Sequence, residues 1–271
     1  MRSLLDDTFQ SLKSTGSKAL IPFLTSGYPD EESFLQLARL TCESGADVLE
    51  LGFPHSDPLA DGPVIQHSSH TAIQNGFTVE RAFREIATLR REHSTPIVIM
   101  CYSNLVLRRT ARTFIQQCVD SGVAGLIVPD MIIEESEKVR ELCQAAGMSF
   151  INLITPTTEV KRAAFIAKIS SGYIYLVSVA GTTGVRTQLN AKVRAITARL
   201  RKTTDLPICV GFGIASADMA AEVANDCDGV IIGSKLIQLI DEDNNKEEYA
   251  ILRAFLTDVK AKLGGKHDAR C

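Results

Sequence analysis

Glu50 is a carboxylic acid inside the otherwise apolar run VLELG. Burying a carboxylate costs free energy unless the group is paired or functional. Loss of water raises the pKa of such a carboxyl group, which suits it to general acid–base chemistry. A Glu that points outward and pairs with a helix Lys or Arg explains the same position equally well. The position alone leaves both interpretations open.

The segment after this run, GFPHSDPLADGPVIQ (52–66), contains three Pro, two Asp and two Gly among its fifteen residues. This composition stiffens the backbone that presents the side chains of Asp57 and Asp61. Asp–Pro and Asp–Gly pairs are common in ordinary turns, which explains any one of them. The whole run, placed directly after an unusual Glu, instead indicates a functional loop.

Glycine-bearing turns follow the last two apolar runs of the chain: GFG (211–213), and Gly233–Ser234 before KLIQLI. Backbone N–H groups at a helix N-terminus bind phosphate. Barrels of eight strands often hold phosphate between the loops after strands 7 and 8 and a short extra helix. We therefore predict a phosphate site there and a short helix that begins at Ser234, with tight-turn glycine as the alternative. The small-residue loop VAGTTGVRTQ (179–188) is typical of a mobile lid, with a plain connector as the alternative.

Other chemistries have less support in the sequence. His67 and His70 lie three apart in a helix-like segment without a carboxylate-bearing strand end, so we interpret them as surface residues and predict no metal site. No Lys falls inside a strand-like run, which argues against Schiff-base chemistry. Most of the seven Cys lie in apolar stretches, as is typical of buried thiols in a reducing compartment.

Eight short apolar runs must position these residues, and each is followed by a longer segment with helical spacing. Runs that are apolar on both faces are typical of parallel strands covered by helices. The alternation predicts an α/β fold, a single (β/α)₈ TIM barrel with its active site at the C-terminal strand ends. An open doubly wound sheet is the main alternative, but no GxGxxG follows the first run. The runs are ALIPFLT (19–25), DVLELG (47–52), PIVIMC (96–101), AGLIVP (124–129), MSFINLI (148–154), YIYLVS (173–178), PICVGF (207–212) and GVIIGS, which ends at Ser234.

Length and charge fit one barrel. The chain has 271 residues, and a barrel of this type needs about 250. We predict one domain over residues 1–271, with an extra N-terminal helix over 2–15 that plugs the barrel floor and Gly45, Gly122 and Gly147 as helix C-caps. The formal net charge of −3 indicates neither a nucleic-acid nor a membrane surface. Because we find no signal-peptide pattern, we expect a cytoplasmic protein.

The run LELGFPHSDPLADGPVIQ (49–66) resembles the signature of the tryptophan synthase alpha chain family. Further segments fall in register with the same family: PFLTSGYPD (22–30), MCYSNLV (100–106), VPD (128–130), GTTGVR (181–186) and GFGI (211–214). The resemblance implies retro-aldol cleavage of indole-3-glycerol phosphate to indole and glyceraldehyde 3-phosphate. It also implies a beta subunit partner in an α₂β₂ heterotetramer, whose pyridoxal phosphate joins the indole to serine. The alpha chain itself is expected to carry no cofactor.

The resemblance also assigns roles to single residues. Glu50 and Asp61 take the places of the family's two catalytic carboxylates, and Asp57 lies in the loop that contacts the beta chain. The phosphate ligands would be Gly184, Gly213, Gly233 and Ser234. The indole pocket would include Phe23, Tyr102, Tyr175 and Phe212.

The chain departs from the family pattern at five positions, none of them Glu50 or Asp61. Two hypotheses therefore stay open: a working lyase subunit, and an attenuated subunit that mainly activates its beta chain. The signature at 49–66 disfavours a different phosphate-binding barrel enzyme. The departures are His55 for the usual Phe, Ile132 for Pro, Val179 for Arg, Thr182 for Val and Lys235 for Ala.

Overall fold

Eight parallel strands close into a barrel in which each strand pairs with the next and the last pairs with the first. The structure is a computed structural model that describes residues 3–177, 186–211, 213–243 and 248–264. It confirms the predicted barrel. The strands are β1 (Ala19–Thr25), β2 (Leu49–Gly52), β3 (Ile97–Met100), β4 (Gly125–Ile127), β5 (Ser149–Ile154), β6 (Ile174–Val177), β7 (Ile208–Gly211) and β8 (Gly229–Ile232).

Helices cover the outside of the barrel. An outer core lies between them and the strands, and a second apolar cluster fills the barrel interior. The helices are α1 (Leu4–Ser14), α2 (Glu31–Glu43), α3 (Pro63–Gln74), α4 (Val79–Glu92), α5 (Ser103–Arg108), α6 (Ala111–Asp120), α7 (Glu137–Ala145), α8 (Val160–Ile169), α9 (Arg186–Leu200), α10 (Ala217–Ala224), α11 (Ser234–Glu242) and α12 (Ala250–Leu263).

The helix ends follow from local sequence. The Ser3 side chain accepts the Asp6 N–H and the Asp6 carboxylate accepts the Ser3 N–H, which forms a capping box for α1. The helices α2, α6 and α7 are each followed by a glycine with positive φ, at the positions predicted as C-caps: Gly45, Gly122 and Gly147.

Helix α1 closes the floor of the barrel, as predicted. Leu5 is fully buried, Phe9 is 6% exposed, and both belong to the interior cluster. The Phe9 ring packs on the Tyr173 ring at a centroid distance of 5.6 Å. Because this end is filled by apolar groups, a polar reaction site must lie toward the C-terminal strand ends. In the part of the chain that the structure describes, no helix has both the length and the apolar character to span a bilayer.

Candidate active site

Glu50 points into the barrel, so the outward-facing alternative is wrong. Side chains alternate along a strand, and the outer core takes Leu49 and Leu51 whereas the interior cluster takes Val48. Glu50 shares the inner side with Val48 and is fully buried. Burial raises the pKa of the interior thiol Cys209 most, and the charge of Glu50 adds to that rise.

The Glu50 carboxyl group has one described hydrogen-bond partner. The Tyr173 hydroxyl donates to Oε1, whereas Oε2 has no partner within the described residues. Burial raises the pKa of Glu50 to about 8, and the hydrogen bond from Tyr173 lowers it only in part. Glu50 is therefore mostly protonated at neutral pH and can both give and take a proton near that pH.

A cavity of about 420 Å³ lies at the C-terminal end of the barrel. It brings together six of the predicted site residues and one of the departures from the family pattern. Its wall combines aromatic rings, a carboxylate, two glycine turns and an ammonium group. The residues of interest are Phe23, Asp61, Tyr175, Gly213, Gly233, Ser234 and Lys235.

Two strand-end glycines make room for the aromatic wall. A Cβ at Gly211 would lie 2.5 Å from Cε1 of Tyr175 and 2.7 Å from its hydroxyl oxygen. A Cβ at Gly52 would overlap the ring of Phe23. Side chains at these positions would therefore push both rings out of place. Gly211, the first glycine of the GFG turn that was predicted to bind phosphate, is thus also required to make room for Tyr175.

Asp61 is half-buried at this cavity, on the loop between β2 and α3. The Tyr102 hydroxyl donates to its Oδ2 over 3.3 Å and accepts the Ala60 N–H over 2.9 Å. The Gln66 side-chain amide donates to the Asp61 carbonyl over 2.8 Å, which ties the loop to α3. Burial raises the pKa of Asp61, whereas the Tyr102 hydrogen bond and the nearby His55 lower it.

His55 connects this carboxylate to the loop that carries Asp57. Its ring stacks on Tyr102 with centroids 4.5 Å apart and planes inclined by 25°. Its Nδ1 accepts the Asp57 N–H over 3.1 Å. The imidazole thus provides the flat ring that a Phe would also provide at this position, and it adds a hydrogen-bond acceptor.

Glu50 is not among the described residues that line the cavity. Tyr175 lines the cavity with Asp61. Burial raises the pKa of Tyr175 most, and the charges of Glu50 and then Asp61 raise it further. Tyr173, the partner of Glu50, was not among the residues predicted from the sequence. The sequence does contain a signal for it, because Tyr173 and Tyr175 are two residues apart and so share one face of a strand.

The glycine turns and Lys235 meet at the start of α11, which begins at Ser234 as predicted. The first N–H groups of a helix have no intrahelical acceptor, so they are available to an anion. Gly184 and Phe212, two other predicted site residues, lie outside the described residues, as do the departures Val179 and Thr182. In the described ranges no group of three or more His, Cys, Asp or Glu side chains could hold a metal ion.

The sequence profile described as tryptophan synthase alpha chain matches residues 9–263. The chain belongs to the tryptophan synthase alpha chain family. A curated tryptophan synthase alpha chain from Rippkaea orientalis is 40% identical over 260 residues, which cover 96% of this chain and 97% of that protein. One from Synechocystis is 39% identical over 256 residues, which cover 94% and 97%.

Solved structures agree with this family membership. Tryptophan synthase subunit alpha from Legionella pneumophila superposes with a TM-score of 0.89 at 34% identity and covers 97% of this chain and 99% of that one. A Mycobacterium tuberculosis tryptophan synthase chain superposes with a TM-score of 0.90 at 31% identity, with the same coverage.

Large apolar side chains are exposed in three segments that follow neighbouring strands of this alpha-chain barrel. Leu59 follows β2 and is 84% exposed, Leu107 follows β3 and is 59% exposed, and Ile132 follows β4 and is 55% exposed. The Asp57 side chain is exposed in the first of these segments. An exposed apolar patch on a polar surface is typical of a protein contact site, whereas single exposed apolar side chains are common on any surface.

Proposed function

We propose that this chain is a carbon–carbon lyase that cleaves indole-3-glycerol phosphate to indole and glyceraldehyde 3-phosphate, as the alpha subunit of a tryptophan synthase. The observation that carries the proposal is a buried Glu50 with a pKa of about 8, paired in the sheet with Phe23, which lines a cavity together with Asp61. Family membership over residues 9–263 supports the same reaction.

The reaction requires a proton on carbon 3 of the indole ring and a base for the adjacent glycerol hydroxyl. Protonated Glu50 gives its proton to carbon 3 and becomes a carboxylate. The carboxylate then takes the hydroxyl proton, the bond between ring and glycerol chain breaks, and its electron pair returns to the indole. The hydroxyl carbon becomes the aldehyde, and Glu50 ends the cycle protonated.

Glu50 has to move to do this. Its Oε1 accepts a hydrogen bond from Tyr173, whose ring packs on Phe9 of the barrel floor. We propose that rotation of the Glu50 side chain toward the cavity exchanges the Tyr173 contact for the substrate. The Oε2 atom, which has no described partner, loses no hydrogen bond in that movement.

Asp61 has the complementary role in this proposal. Protonation of carbon 3 places a positive charge on the indole nitrogen, and an ionised Asp61 accepts its N–H and stabilises that charge. Burial raises the pKa of Asp61, and the hydrogen bond from Tyr102 and the proximity of His55 oppose this rise and so favour the ionised form. Two carboxyl groups in different surroundings can thus act as acid and as anion at one pH.

The remaining cavity residues fit the two ends of the substrate. Phe23 and Tyr175 present aromatic surface for the indole, and Tyr102 packs nearby through its contact with Asp61. Gly213, Gly233 and Ser234 are the proposed phosphate ligands at the N-terminus of α11. Gly184 and Phe212 stay predictions for the phosphate and the indole respectively.

The attenuated-activator hypothesis is less well supported. The relatives that match nearly the whole chain are tryptophan synthase alpha chains. His55 keeps a flat ring on Tyr102, and Lys235 does not displace the start of α11, because the Leu236 N–H still bonds to the Gly233 carbonyl over 2.8 Å. These two departures therefore leave the local geometry intact.

The direct test is release of indole from indole-3-glycerol phosphate, measured with and without the cognate beta chain. We expect turnover of about 1–10 per second in the complex, a typical enzyme value. If no indole is released above the background of heat-inactivated protein, either with or without the beta chain, the lyase proposal is wrong.

We further propose that the partner is a tryptophan synthase beta chain that carries the pyridoxal phosphate, in an α₂β₂ assembly. The exposed apolar side chains Leu59, Leu107 and Ile132, together with Asp57, define a candidate partner face. This face includes Asp57 and Leu59 of the loop that also holds Asp61, so docking there can affect the reaction site through His55 and Tyr102.

Asp57→Ala is expected to weaken activation of the beta chain's serine chemistry. The exposed carboxylate offers a charged contact to the partner, and its loss should raise the alpha-chain concentration for half-maximal activation about tenfold. Titration of the beta chain with wild-type and variant alpha chain measures this. Asp7→Ala, an exposed Asp in α1 at the opposite end of the barrel, is the matched control. Superimposable titration curves for Asp57→Ala and wild type would exclude this contact.

A further inference from the structure

Lys235 is an ammonium group at the reaction cavity without a described counter-ion. It is the second residue of α11, it is half-buried, and it lines the cavity with Asp61, Gly213 and Ser234. No carboxylate in the described ranges forms an ion pair with it.

Other half-buried lysines of this chain have acceptors. The Lys260 ammonium donates to both carboxylate oxygens of Asp47 over 2.6 Å. The Lys18 ammonium donates to the Cys227 carbonyl over 2.5 Å. Removing an ammonium group from water costs free energy unless a partner replaces the water. Lys235 differs from these two lysines because no acceptor for it is described, so a ligand in the cavity can take that place.

The helix adds to the unusual electrostatics. The N-terminus of a helix is equivalent to roughly half a positive charge, and a cation there is unfavourable. The first turn of α11 contains no acidic residue to offset Lys235. Lys235 lines the cavity, so the helix end and the Lys235 side chain together place about 1.5 positive charges at one end of it.

We propose that Lys235 binds the phosphate of the substrate directly and determines how tightly this chain holds phosphate monoesters. A phosphate monoester carries roughly −1.5 to −2 charges at neutral pH. A helix N-terminus alone balances only about a quarter to a third of that charge, whereas the helix and Lys235 together nearly balance it. The glycine turn positions the phosphate, and the ammonium group provides most of the charge.

This inference rests on the proposed function only for the identity of the substrate. Inorganic phosphate and glyceraldehyde 3-phosphate are the probes that separate the two proposals, because their binding requires no cleavage. Calorimetric titration of the full chain with each probe gives the dissociation constant. Steady-state kinetics with indole-3-glycerol phosphate, in the complex with the beta chain, give KM and kcat.

Lys235→Ala is expected to raise the dissociation constant of both probes, and KM, by about 10- to 100-fold, the usual range for a lost charged hydrogen bond. The effect on kcat should stay within about threefold, because Glu50 and Asp61 are unchanged. Lys235→Arg keeps the charge and should bind both probes within about threefold of wild type. Lys161→Ala is the matched control: Lys161 is also the second residue of a helix, α8, but it is exposed and outside the cavity lining.

Unchanged probe binding in Lys235→Ala would overturn the proposal. A fall in kcat with unchanged KM would also overturn it, because that pattern belongs to a structural role. An equal loss in Lys161→Ala would show a general effect of surface charge and would overturn it as well. If wild type binds the probes through Lys235 but releases no indole, the proposed lyase function fails and this inference stands.

Discussion

Glu50→Gln is expected to lower the rate of indole release by about 10²–10⁴-fold, the usual contribution of a general acid–base group. The amide has nearly the same shape but can neither protonate carbon 3 nor take the glycerol hydroxyl proton. The kcat of the variant in complex with the beta chain measures the effect. Binding of inorganic phosphate should stay unchanged and serves as the control for an intact cavity. A variant rate within threefold of wild type would rule out this role for Glu50.

The same substitution should make the protein more stable, and more so at high pH. The pKa of Glu50 is about 8 in the folded protein, whereas an unfolded Glu titrates near 4.3. The stability that protonated Glu50 contributes is therefore fully present below about pH 4 and is lost as the pH rises through 8. Gln does not ionise, so the gain on substitution should be on the order of a few kcal/mol larger at pH 9 than at pH 5.

Urea unfolding at the two pH values measures this difference. Equal gains at pH 5 and pH 9 would contradict a raised pKa. Tyr173→Phe provides a second check, because it removes the hydrogen bond that lowers the pKa of Glu50. In that variant the limb of the kcat/KM–pH profile that belongs to Glu50 should move to higher pH, because kcat/KM reports the free enzyme, in which Tyr173 contacts Glu50.

The barrel could be predicted from sequence because each strand is apolar on both faces and each is followed by a helical segment. The strand ends could not be predicted as well. The fourth run, 124–129, forms a strand only over Gly125–Ile127, and Pro129 has no backbone N–H to donate to a neighbouring strand. The preference of apolar residues for strands shows in the sequence where a strand lies. The backbone hydrogen bonds to the neighbouring strands decide where that strand ends.

The direction of Glu50 illustrates a physical limit of the sequence. In a strand that is apolar on both faces, alternation does not distinguish inside from outside. The neighbours decide it here: Leu49 and Leu51 pack outward, so Glu50 points inward with Val48. Its contact with Tyr173 crosses the barrel from β2 to the start of β6, and that pairing depends on the tilt and stagger of all eight strands.

The functional character of the loop at 52–66 could be predicted from the sequence, but the contacts of its side chains could not. Its Pro and Asp residues indicate a stiff, functional segment, and the structure places Asp61 at the cavity and leaves Asp57 exposed. The stacking of His55 on Tyr102 joins two segments that are far apart in the sequence. Only the neighbouring positions of β2 and β3 bring these rings together.

Asp61→Asn should lower the rate of indole release by about 10²–10³-fold, because a neutral amide cannot stabilise the positive charge that protonation places on the indole ring. The amide keeps the size of the carboxylate and can still accept the hydrogen bond from Tyr102. The comparison therefore isolates the charge. Binding of inorganic phosphate at the other end of the cavity is the control and should be unaffected. A rate within threefold of wild type would exclude an electrostatic role for Asp61.

Tyr102→Phe tests how that charge is maintained. The pKa of Asp61 is raised by burial, and the hydrogen bond from Tyr102 opposes this. Without the hydroxyl the pKa rises, so a larger fraction of Asp61 is protonated at any acidic pH. The loss of activity relative to wild type should thus be larger at pH 6 than at pH 8, and about tenfold at its greatest if one charged hydrogen bond is removed. The ring remains and can still stack on His55, which keeps the loop in place. A loss that is constant between pH 6 and pH 8 would mean that Tyr102 acts only through the Ala60 N–H contact and the shape of the loop.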